Sequence, residues 1–345
     1  MKINRTELQT ALEQVRPGLS NKEIIEQTTS FIFSNGRIAT YNDEISVSYP
    51  FPLLSHVQGV IKAQALYDFL GKVKKDEVEL EWTEQQLIIK AGRSKAGFTL
   101  DAEIRAPLDE IGQVEEWEAI PKPDEFLAAL KTCVPHCSRD MSRPALTCVH
   151  VTASAVEASD SYQIIQYQLS QKLPTDSFLL PASSCRDLLK YPVIEISKGE
   201  SWLHFRTAAG VVFSVRTIQD SFPDISHHLQ IEGAVLTLPD SMGEILERGG
   251  IFAKDDRVSL PILSISLKDS QLVISASNEF GWIEERAKVK DYTEELSFTI
   301  GADFLQQVLT RTRTCIVADN KIMFQEGAWK LVIAVMESES KEVPF

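Results

Sequence analysis

The segment Ile61–Leu70 has the sequence IKAQALYDFL, and related segments follow at 180–189 (LPASSCRDLL) and 300–309 (IGADFLQQVL). The intervals between them are 119 and 120 residues. In each copy an Ala is followed by apolar residues three, six and seven positions later, which is the pattern of one buried face of a short amphipathic helix. The chain is therefore predicted to contain three similar segments, each with an equivalent helix.

A second set of short helices alternates with the first. Its signature is an apolar pair at i and i+4: Leu8 with Leu12, Phe126 with Leu130, and Met242 with Leu246. Successive helices of the combined set are 57 to 63 residues apart, so the smallest repeat is about half a domain. Between the helices, stretches such as Val78–Trp82 (VELEW) alternate apolar and polar residues, as half-buried strands do.

The repeat predicts an α+β fold of three similar domains, at 1–118, 119–231 and 232–345. Each domain is expected to consist of two half-units, each of one helix and three or four strands. The third domain ends in an acidic tail, Glu339–Phe345.

Composition excludes several classes of protein. Of the 345 residues, 43% are hydrophobic, which is too many for a disordered or fibrous chain. The opening MKINRTELQT lacks the apolar stretch of a signal peptide, and no apolar run is long enough to cross a membrane. Five cysteines, an odd number, favour a reducing compartment. We therefore expect a soluble, cytoplasmic protein without a membrane partner.

The net charge of −14, from 35 Lys and Arg against 49 Asp and Glu, argues at first against a nucleic-acid-binding protein. The charges are segregated, however. The six predicted helical stretches carry 14 Lys and Arg and 10 Asp and Glu, a net charge of +4, which leaves −18 for the rest of the chain. The distribution predicts a mildly basic helical surface and an acidic surface elsewhere.

No catalytic motif is evident. The chain contains no Gly-x-Gly-x-x-Gly, Gly-x-x-x-x-Gly-Lys, Gly-x-Ser-x-Gly or His-Glu-x-x-His sequence. Cys133, His136, Cys137, Cys148 and His150 are the one cluster with metal-ligating side chains, but their spacing matches no zinc module. Burial in a strand explains Cys148 and His150, so we expect no metal. Because no catalytic motif is present, we also expect no cofactor and no enzymatic activity.

From about residue 1 to 336 the chain resembles the bacterial sliding clamp, the β subunit of DNA polymerase III. The resemblance rests on Met1-Lys2-Ile3, on the GRSK turn at 92–95, on EASDSYQI at 157–164 where the family has Ala-Thr-Asp-Gly-His-Arg-Leu, and on DSFPD at 220–224 where it has Asp-Gly-Arg-Phe-Pro-Asp. It implies a head-to-tail homodimer closed into a ring, with helices lining the hole and sheets outside. Such a ring encircles double-stranded DNA, tethers DNA polymerase as a processivity factor, and is opened by a separate clamp loader.

The resemblance also implies three sets of functional residues. Lys22 matches a DNA-contacting position of the family, and Arg139, Arg143 and Lys190 are further candidates for phosphate contacts, although each is as readily a solvated surface charge. Polymerase and loader peptides would enter a pocket formed by Leu146, Ser159, Ser161, Tyr162, Gln163, Ile164, Pro223, His227, Val332, Val335 and Met336. For Ile164 and Val332 ordinary core packing is the favoured role. Phe98, Ile251 and Phe252 are the expected dimer contacts, with their own domain cores as the alternative, and Gly249-Gly250 is predicted to end the preceding helix.

Two departures from the family predict a divergent clamp, encoded by a phage or mobile element. Tyr162-Gln163 replaces a His-Arg pair, and AVMES at 334–338 replaces a terminal Met-Pro-Met-Arg-Leu. Loss of a basic residue from the pocket rim should change which peptides bind. An alternative function is therefore a clamp-fold protein that binds replication proteins without encircling DNA. An enzyme with an unrecognised site is the third possibility.

Overall fold

Seven α-helices form within the part of the chain that the computed structural model describes, which is residues 1–111, 114, 116–254, 261–290, 292 and 294–337. They are α1 (Arg5–Val15), α2 (Ala63–Lys72), α3 (Leu108–Ile111), α4 (Pro123–Cys133), α5 (Ala182–Leu188), α6 (Met242–Ala253) and α7 (Ala302–Leu309). All six predicted helices are confirmed, and α3 is an additional single turn. The acidic tail predicted at 339–345 lies outside the described residues.

The described strands separate these helices in groups. They are β1 (Lys2–Asn4), β2 (Ser30–Ser34), β3 (Arg37–Tyr41), β4 (Ile45–Pro50), β5 (Gly59–Lys62), β6 (Glu77–Trp82), β7 (Gln86–Ala91), β8 (Ser94–Thr99), β9 (Glu118–Ala119), β10 (Cys148–Val151), β11 (Ala155–Ser159), β12 (Gln163–Gln168), β13 (Phe178–Pro181), β14 (Val193–Lys198), β15 (Trp202–Thr207), β16 (Val212–Arg216), β17 (Ala234–Thr237), β18 (Ile262–Lys268), β19 (Gln271–Asn278), β20 (Gly281–Lys288), β21 (Leu296–Gly301), β22 (Thr314–Ala318), β23 (Lys321–Glu326), β24 (Trp329–Ala334) and β25 (Met336–Glu337).

Helix α1 shows how the sequence pattern becomes structure. Leu8, Leu12 and Val15 are buried, so the apolar face points into the core. At the N-terminal end of α1 the Asn4 side chain accepts hydrogen bonds from the backbone N–H groups of Thr6 (2.8 Å) and Glu7 (3.1 Å). The cap satisfies two donors that a helix N-terminus otherwise leaves without partners, and so fixes where α1 begins.

The chain divides into two compact units. Unit 1 comprises Met1–Lys131, Val151–Ala153 and Gln171–Asp220, and unit 2 comprises Thr132–His150, Ser154–Ser170 and the described part of Ser221–Phe345. The three-domain division remains a prediction. Each unit nevertheless contains a sheet that takes strands from two of the predicted domains.

Unit 1 contains two antiparallel sheets, with strand orders β1-β6-β7-β8 and β5-β2-β3-β4-β16-β15-β14-β9. In the larger sheet β4 pairs with β16, so that Val47 lies opposite Phe213. Phe31, Phe205 and Phe213 are at most 1% exposed and form part of its core. The hairpin between β2 and β3 turns through Asn35-Gly36, both with positive φ, which is the conformation that two-residue hairpin loops favour.

In unit 2, seven strands follow one another in the order β10-β11-β12-β24-β23-β22-β17, and a second sheet has the order β20-β19-β18-β21-β25. Helices α6 and α7 pack on each other, α6 on β18–β20 and α7 on β21. Alternate residues of β18, Leu263, Ile265 and Leu267, are buried beneath them. No helix among the described residues is both long enough and apolar enough to span a bilayer.

One local prediction is wrong. Gly249-Gly250 does not end α6, which continues through both glycines to Ala253. A Cβ atom on Gly249 would lie 3.1 Å from the Leu263 side chain. The missing side chain therefore lets α6 approach β18 closely, and this packing offsets the low helix propensity of glycine. As a result Ile251 and Phe252 lie in the last turn of α6.

Candidate peptide-binding face and basic positions

A tight turn between β11 and β12 organises the predicted pocket residues of unit 2. The Asp160 carboxylate accepts hydrogen bonds from the backbone N–H groups of Tyr162 and Gln163, both at 2.9 Å. Ser159 Oγ donates to the carbonyl of Gln163 (2.9 Å) and accepts from the N–H of Ser161 (3.2 Å). Ser161 has a φ of 80°, a left-handed conformation that such side-chain contacts stabilise. The turn therefore holds Tyr162, 56% exposed, in a fixed position.

Gln163 is buried, with only 2% of its surface exposed. Its Nε2 donates to Asp160 Oδ2, and its Oε1 lies 2.9 Å from Nδ1 of His136. Because an amide oxygen only accepts, Nδ1 of His136 carries the proton in this contact. Burial lowers the pKa of His136, so its ring is neutral at pH 7. Gln163 thus supports the turn from beneath, whereas the resemblance to the family assigned this position to the pocket rim.

The apolar part of the face lies where β12 meets β24. Ile164 is directly opposite Val332 in this antiparallel pair. Val332, 4% exposed, belongs to a small core cluster with Ile225 and Leu229, and Ile164 packs against that cluster while remaining partly exposed. The predicted core role therefore fits Val332, whereas Ile164 has surface left for an incoming side chain.

Two neighbours of the turn were not assigned to it from the sequence. The Phe304 ring on α7 lies 6.4 Å from the Tyr162 ring, centroid to centroid. Arg143 Nη1 donates to Ser161 Oγ at 2.9 Å, so a residue predicted to contact DNA borders the turn. We call Ser161, Tyr162, Ile164, Arg143 and Phe304 the peptide face.

The remaining pocket candidates differ in burial and in the element that carries them. Leu146 and Val335 are buried, at 8% and 6% exposure, and Pro223 is exposed. His227 is exposed, and its ring contacts that of its neighbour His228 at an interplanar angle of 42°. Met336, 56% exposed, belongs to β25 and so to the second sheet of unit 2. Their membership of one pocket stays a prediction.

The predicted DNA-contacting residues differ in how their charges are balanced. Lys190 Nζ lies 2.6 Å from Asp187 Oδ1, so an adjacent carboxylate partly neutralises it. Lys22 and Arg139 are exposed, and neither forms a salt bridge within the described residues. The sequence predicted the charges but not this difference, because pairing depends on side-chain geometry.

The candidate dimer contacts lie at sheet edges and beside them. Phe98 is on β8, which is the outermost strand of its sheet, and its ring contacts Phe69 edge to face at 5.6 Å. Ile251 is 65% exposed at the end of α6, and Phe252 packs against Gly281 at the start of the edge strand β20. Trp282 on that strand is 61% exposed.

The cysteine and histidine cluster forms no metal site within the described residues, where no three His, Cys, Asp or Glu side chains converge. Cys148 is buried in β10. His150 Nδ1 lies 2.9 Å from Glu157 Oε2, and its ring stacks on Phe222. Cys148 is thus buried in a strand as predicted, whereas His150 is half-buried and held by Glu157 and Phe222.

Comparison with solved structures identifies the fold. The chain is similar to the DNA polymerase III subunit beta from Pseudomonas aeruginosa (18% identity, 98% of this chain and 100% of that chain, TM-score 0.83) and to the DNA polymerase sliding clamp from Bacillus subtilis (19%, 98% of each chain, 0.83). It is also similar to a sliding clamp from Bartonella birtlesii bound to griselimycin (15%, 98% and 99%, 0.84). No protein-family model and no curated protein matches the sequence. The chain therefore has the sliding-clamp fold, which confirms the fold that the resemblance implied.

Proposed function

We propose that this protein is a DNA sliding clamp. It would encircle duplex DNA as a homodimeric ring in the cytoplasm and tether a DNA polymerase, without catalytic activity of its own. The observation that carries the proposal is the sliding-clamp fold over 98% of the chain. Identities of 15 to 19% fit the divergent member that the altered motifs predict.

The charge distribution supports a loose hold on DNA. Helical stretches have a net positive charge although the whole chain carries −14. A ring that moves along a duplex has to attract phosphates without reading base edges, because sequence-specific contacts would stop it at particular sites. Lys22 and Arg139, both exposed and without a carboxylate partner among the described residues, have the properties such contacts need.

Edge strands in the two units support the proposed dimer. β8 in unit 1 and β20 in unit 2 each end a sheet, and edge strands expose backbone groups that can pair with another chain. Exposed apolar side chains accompany the second edge, with Ile251 and Trp282 at 65% and 61% exposure. We propose that β8 of one copy pairs with β20 of the next, which places Phe98 beside Ile251 and Phe252.

For the partner proteins we propose an extended peptide that lies on the peptide face. Ile164 and Tyr162 offer surface to an apolar anchor residue, and burial of one such side chain contributes about 1.5 to 3 kcal/mol. Arg143 is a cation bonded directly to the turn, through Ser161. Because Gln163 is buried where the family has a basic residue, Arg143 would carry the contact to an acidic group of a polymerase or clamp-loader peptide.

The topological claim is tested by retention on DNA. The protein is incubated with a linear plasmid, because a closed ring can thread over a free end without a loader, and DNA ligase then closes the plasmid. The circles are separated from free protein by gel filtration and are then cut once. We expect retention on the circle and loss after cutting, because a ring slides off a free end. Linear DNA with both ends blocked by a bound protein is the matched control, on which retention should return. Equal retention on open linear and circular DNA, or none on the circle, contradicts the proposal.

A second candidate function is supported by the buried Gln163 and the altered rim around Tyr162. It is a clamp-fold protein that binds replication proteins without encircling DNA. Sedimentation velocity at micromolar concentration separates the two functions. A stable dimer supports the ring, and a strict monomer supports the interaction protein.

A further inference from the structure

A small cavity of about 160 Å³ in unit 2 lies beside the C-terminal end of α7. Its polar lining comes from Thr132, His136, Gln307, Thr310 and Arg311, and no carboxylate among the described residues lines it. We call this cavity the Arg311 niche. Its formal charge is +1, and none of the functional residues predicted from the sequence belongs to it.

Arg311 is held in place from two sides. Its Nη2 donates to Thr132 Oγ1 at 3.3 Å, and its guanidinium carbon lies 5.3 Å from the centre of the Trp329 ring. Stacking of a guanidinium on an aromatic face is favourable and restricts its orientation. Trp329 is itself buried at 7% exposure, so the stacking surface is rigid. Most of the five N–H groups of Arg311 remain available for a ligand.

The charge of Arg311 is not balanced by a carboxylate in the part of the chain that the structure describes. No Asp or Glu there lies within salt-bridge distance of it, whereas Arg313, two residues later, pairs with Asp240. The niche therefore presents a positioned cation that has no carboxylate partner among the described residues.

His136 adds a buried polar group to the niche. The side chain is 7% exposed, and its Nδ1 is occupied by Gln163. Its remaining polar atom, Nε2, is thus the one left for the cavity that the ring lines. Burial lowers the pKa of His136, and the nearby Arg311 lowers it further, so the ring adds no negative charge and no competing cation.

We propose that the Arg311 niche binds a backbone phosphate of duplex DNA. This inference rests on the proposed sliding-clamp function. The guanidinium fork matches two phosphate oxygens, and hydroxyl and amide groups such as those of Thr132 and Gln307 are common partners of phosphates in DNA complexes. The niche lies at the C-terminal ends of α4 and α7, with β12 and β24 also lining it. Both helices belong to the set with net positive charge.

The test is the salt dependence of duplex binding for Arg311→Gln against Arg313→Gln. A labelled duplex is titrated by fluorescence anisotropy at several salt concentrations between about 50 and 200 mM. Log affinity falls with log salt, and removal of one phosphate-binding cation makes this fall less steep by about 0.9. Over this fourfold salt range the wild type should therefore lose about 3.5-fold more affinity than Arg311→Gln. Arg313→Gln should change the slope much less, because Asp240 already neutralises that cation.

Arg311→Lys serves as a second variant, since it keeps the charge without the fork. It should keep the wild-type slope but bind less tightly at every salt concentration. In a separate titration with inorganic phosphate alone, the melting temperature of the protein is measured. This measurement distinguishes a free phosphate ion from a DNA backbone phosphate as the ligand. Stabilisation by phosphate without any change of the DNA slope in Arg311→Gln overturns the inference.

Different experimental results would contradict this inference and the proposed function. If the wild type stays on closed circles but the slopes of Arg311→Gln and the wild type agree, the niche is not a DNA contact although the ring is correct. If the wild type binds no duplex, the proposed function and this inference both fall. Binding of a peptide carboxylate that Arg311→Gln abolishes, with the DNA slope unchanged, would assign the niche to a partner protein and also overturn the inference.

Discussion

The pH dependence of stability should be governed in part by His204, which lies in β15 of unit 1. The side chain is 2% exposed, and its Nδ1 lies 2.8 Å from the Ser214 hydroxyl on the neighbouring strand β16. Burial lowers the pKa of His204 from the usual 6.5 to about 4, because a charged imidazole would lose its hydration there. The ring is therefore neutral in the native state.

The sign and size of the effect follow from proton linkage. In the unfolded chain His204 takes up a proton as the pH falls through 6.5, but in the folded protein it does so only near pH 4. Within this window the unfolded state binds more protons, so the free energy of unfolding decreases as the pH falls. At about 1.36 kcal/mol for each pH unit, the loss is about 3 kcal/mol between pH 6.5 and 4. Below pH 4 the penalty is complete and stops growing.

The perturbation is His204→Asn, which places a polar atom near the position of Nδ1 and removes the titration. Urea unfolding at pH values from about 4 to 7.5 should show a variant that is less stable at pH 7, because ring volume is lost from the core, but whose stability falls less steeply with acidity. NMR titration of the His204 ring gives the native pKa directly. His56→Asn, at an exposed position, is the control and should keep the wild-type pH dependence. Parallel pH curves for the wild type and His204→Asn, or a native pKa near the usual 6.5, would refute the reasoning.

Three further predictions concern capping, the peptide face and assembly. Asn4→Ala removes the cap of α1 and should lower the free energy of unfolding by about 1 kcal/mol in urea titrations, whereas Asn4→Asp should restore most of it. Gln163→Ala leaves the buried Nδ1–H of His136 without its partner and should cost about 2 to 3 kcal/mol; a loss below about 0.5 kcal/mol would contradict the role of Gln163 beneath the turn. Phe98→Glu should shift sedimentation from dimer to monomer, while Ile24→Glu, at a position 91% exposed, should not.

The helices were predictable because their signal is local. Burial of Leu8, Leu12 and Val15 in α1 follows directly from their spacing, as does that of Leu305 and Val308 in α7. The end of α6 was not predictable in this way. Whether a glycine ends a helix or lets it pack closely depends on the residues that face the helix in the folded protein. The sequence around Gly249 does not predict that the Leu263 side chain lies beside it.

Sheet pairing shows the same limit on a larger scale. The sequence predicts most strands, but not that β4 joins β16, far along the chain, or that β12 joins β24. Period-two alternation fixes which face of a strand is buried and says nothing about its neighbour. For this reason the opposition of Ile164 and Val332 follows from the structure and not from their surroundings in the chain.

At the peptide face, the sequence identified the turn but not the direction of its side chains. Tyr162 and Gln163 are adjacent polar residues that replace an adjacent pair in the family, and both were assigned to the rim. In the structure one is 56% exposed and the other 2% exposed. The partner that draws Gln163 inward is His136, whose sequence neighbours suggested only a poor metal site.

Summing the charges of the helical stretches does not show which cations are available to attract phosphate. A total of +4 over the helical stretches treats every cation alike, yet Lys190, Arg248 and Arg313 each pair with a carboxylate. A paired cation contributes little to attraction of phosphate, because the carboxylate already supplies its counter-charge. In the proposed clamp, attraction for DNA would depend on a few positions that lack such a carboxylate among the described residues, such as Arg311 and Lys22. A small number of cations without base-reading contacts gives weak, sequence-independent affinity. Such affinity suits the proposed ring, which would stay on DNA because it encircles the duplex.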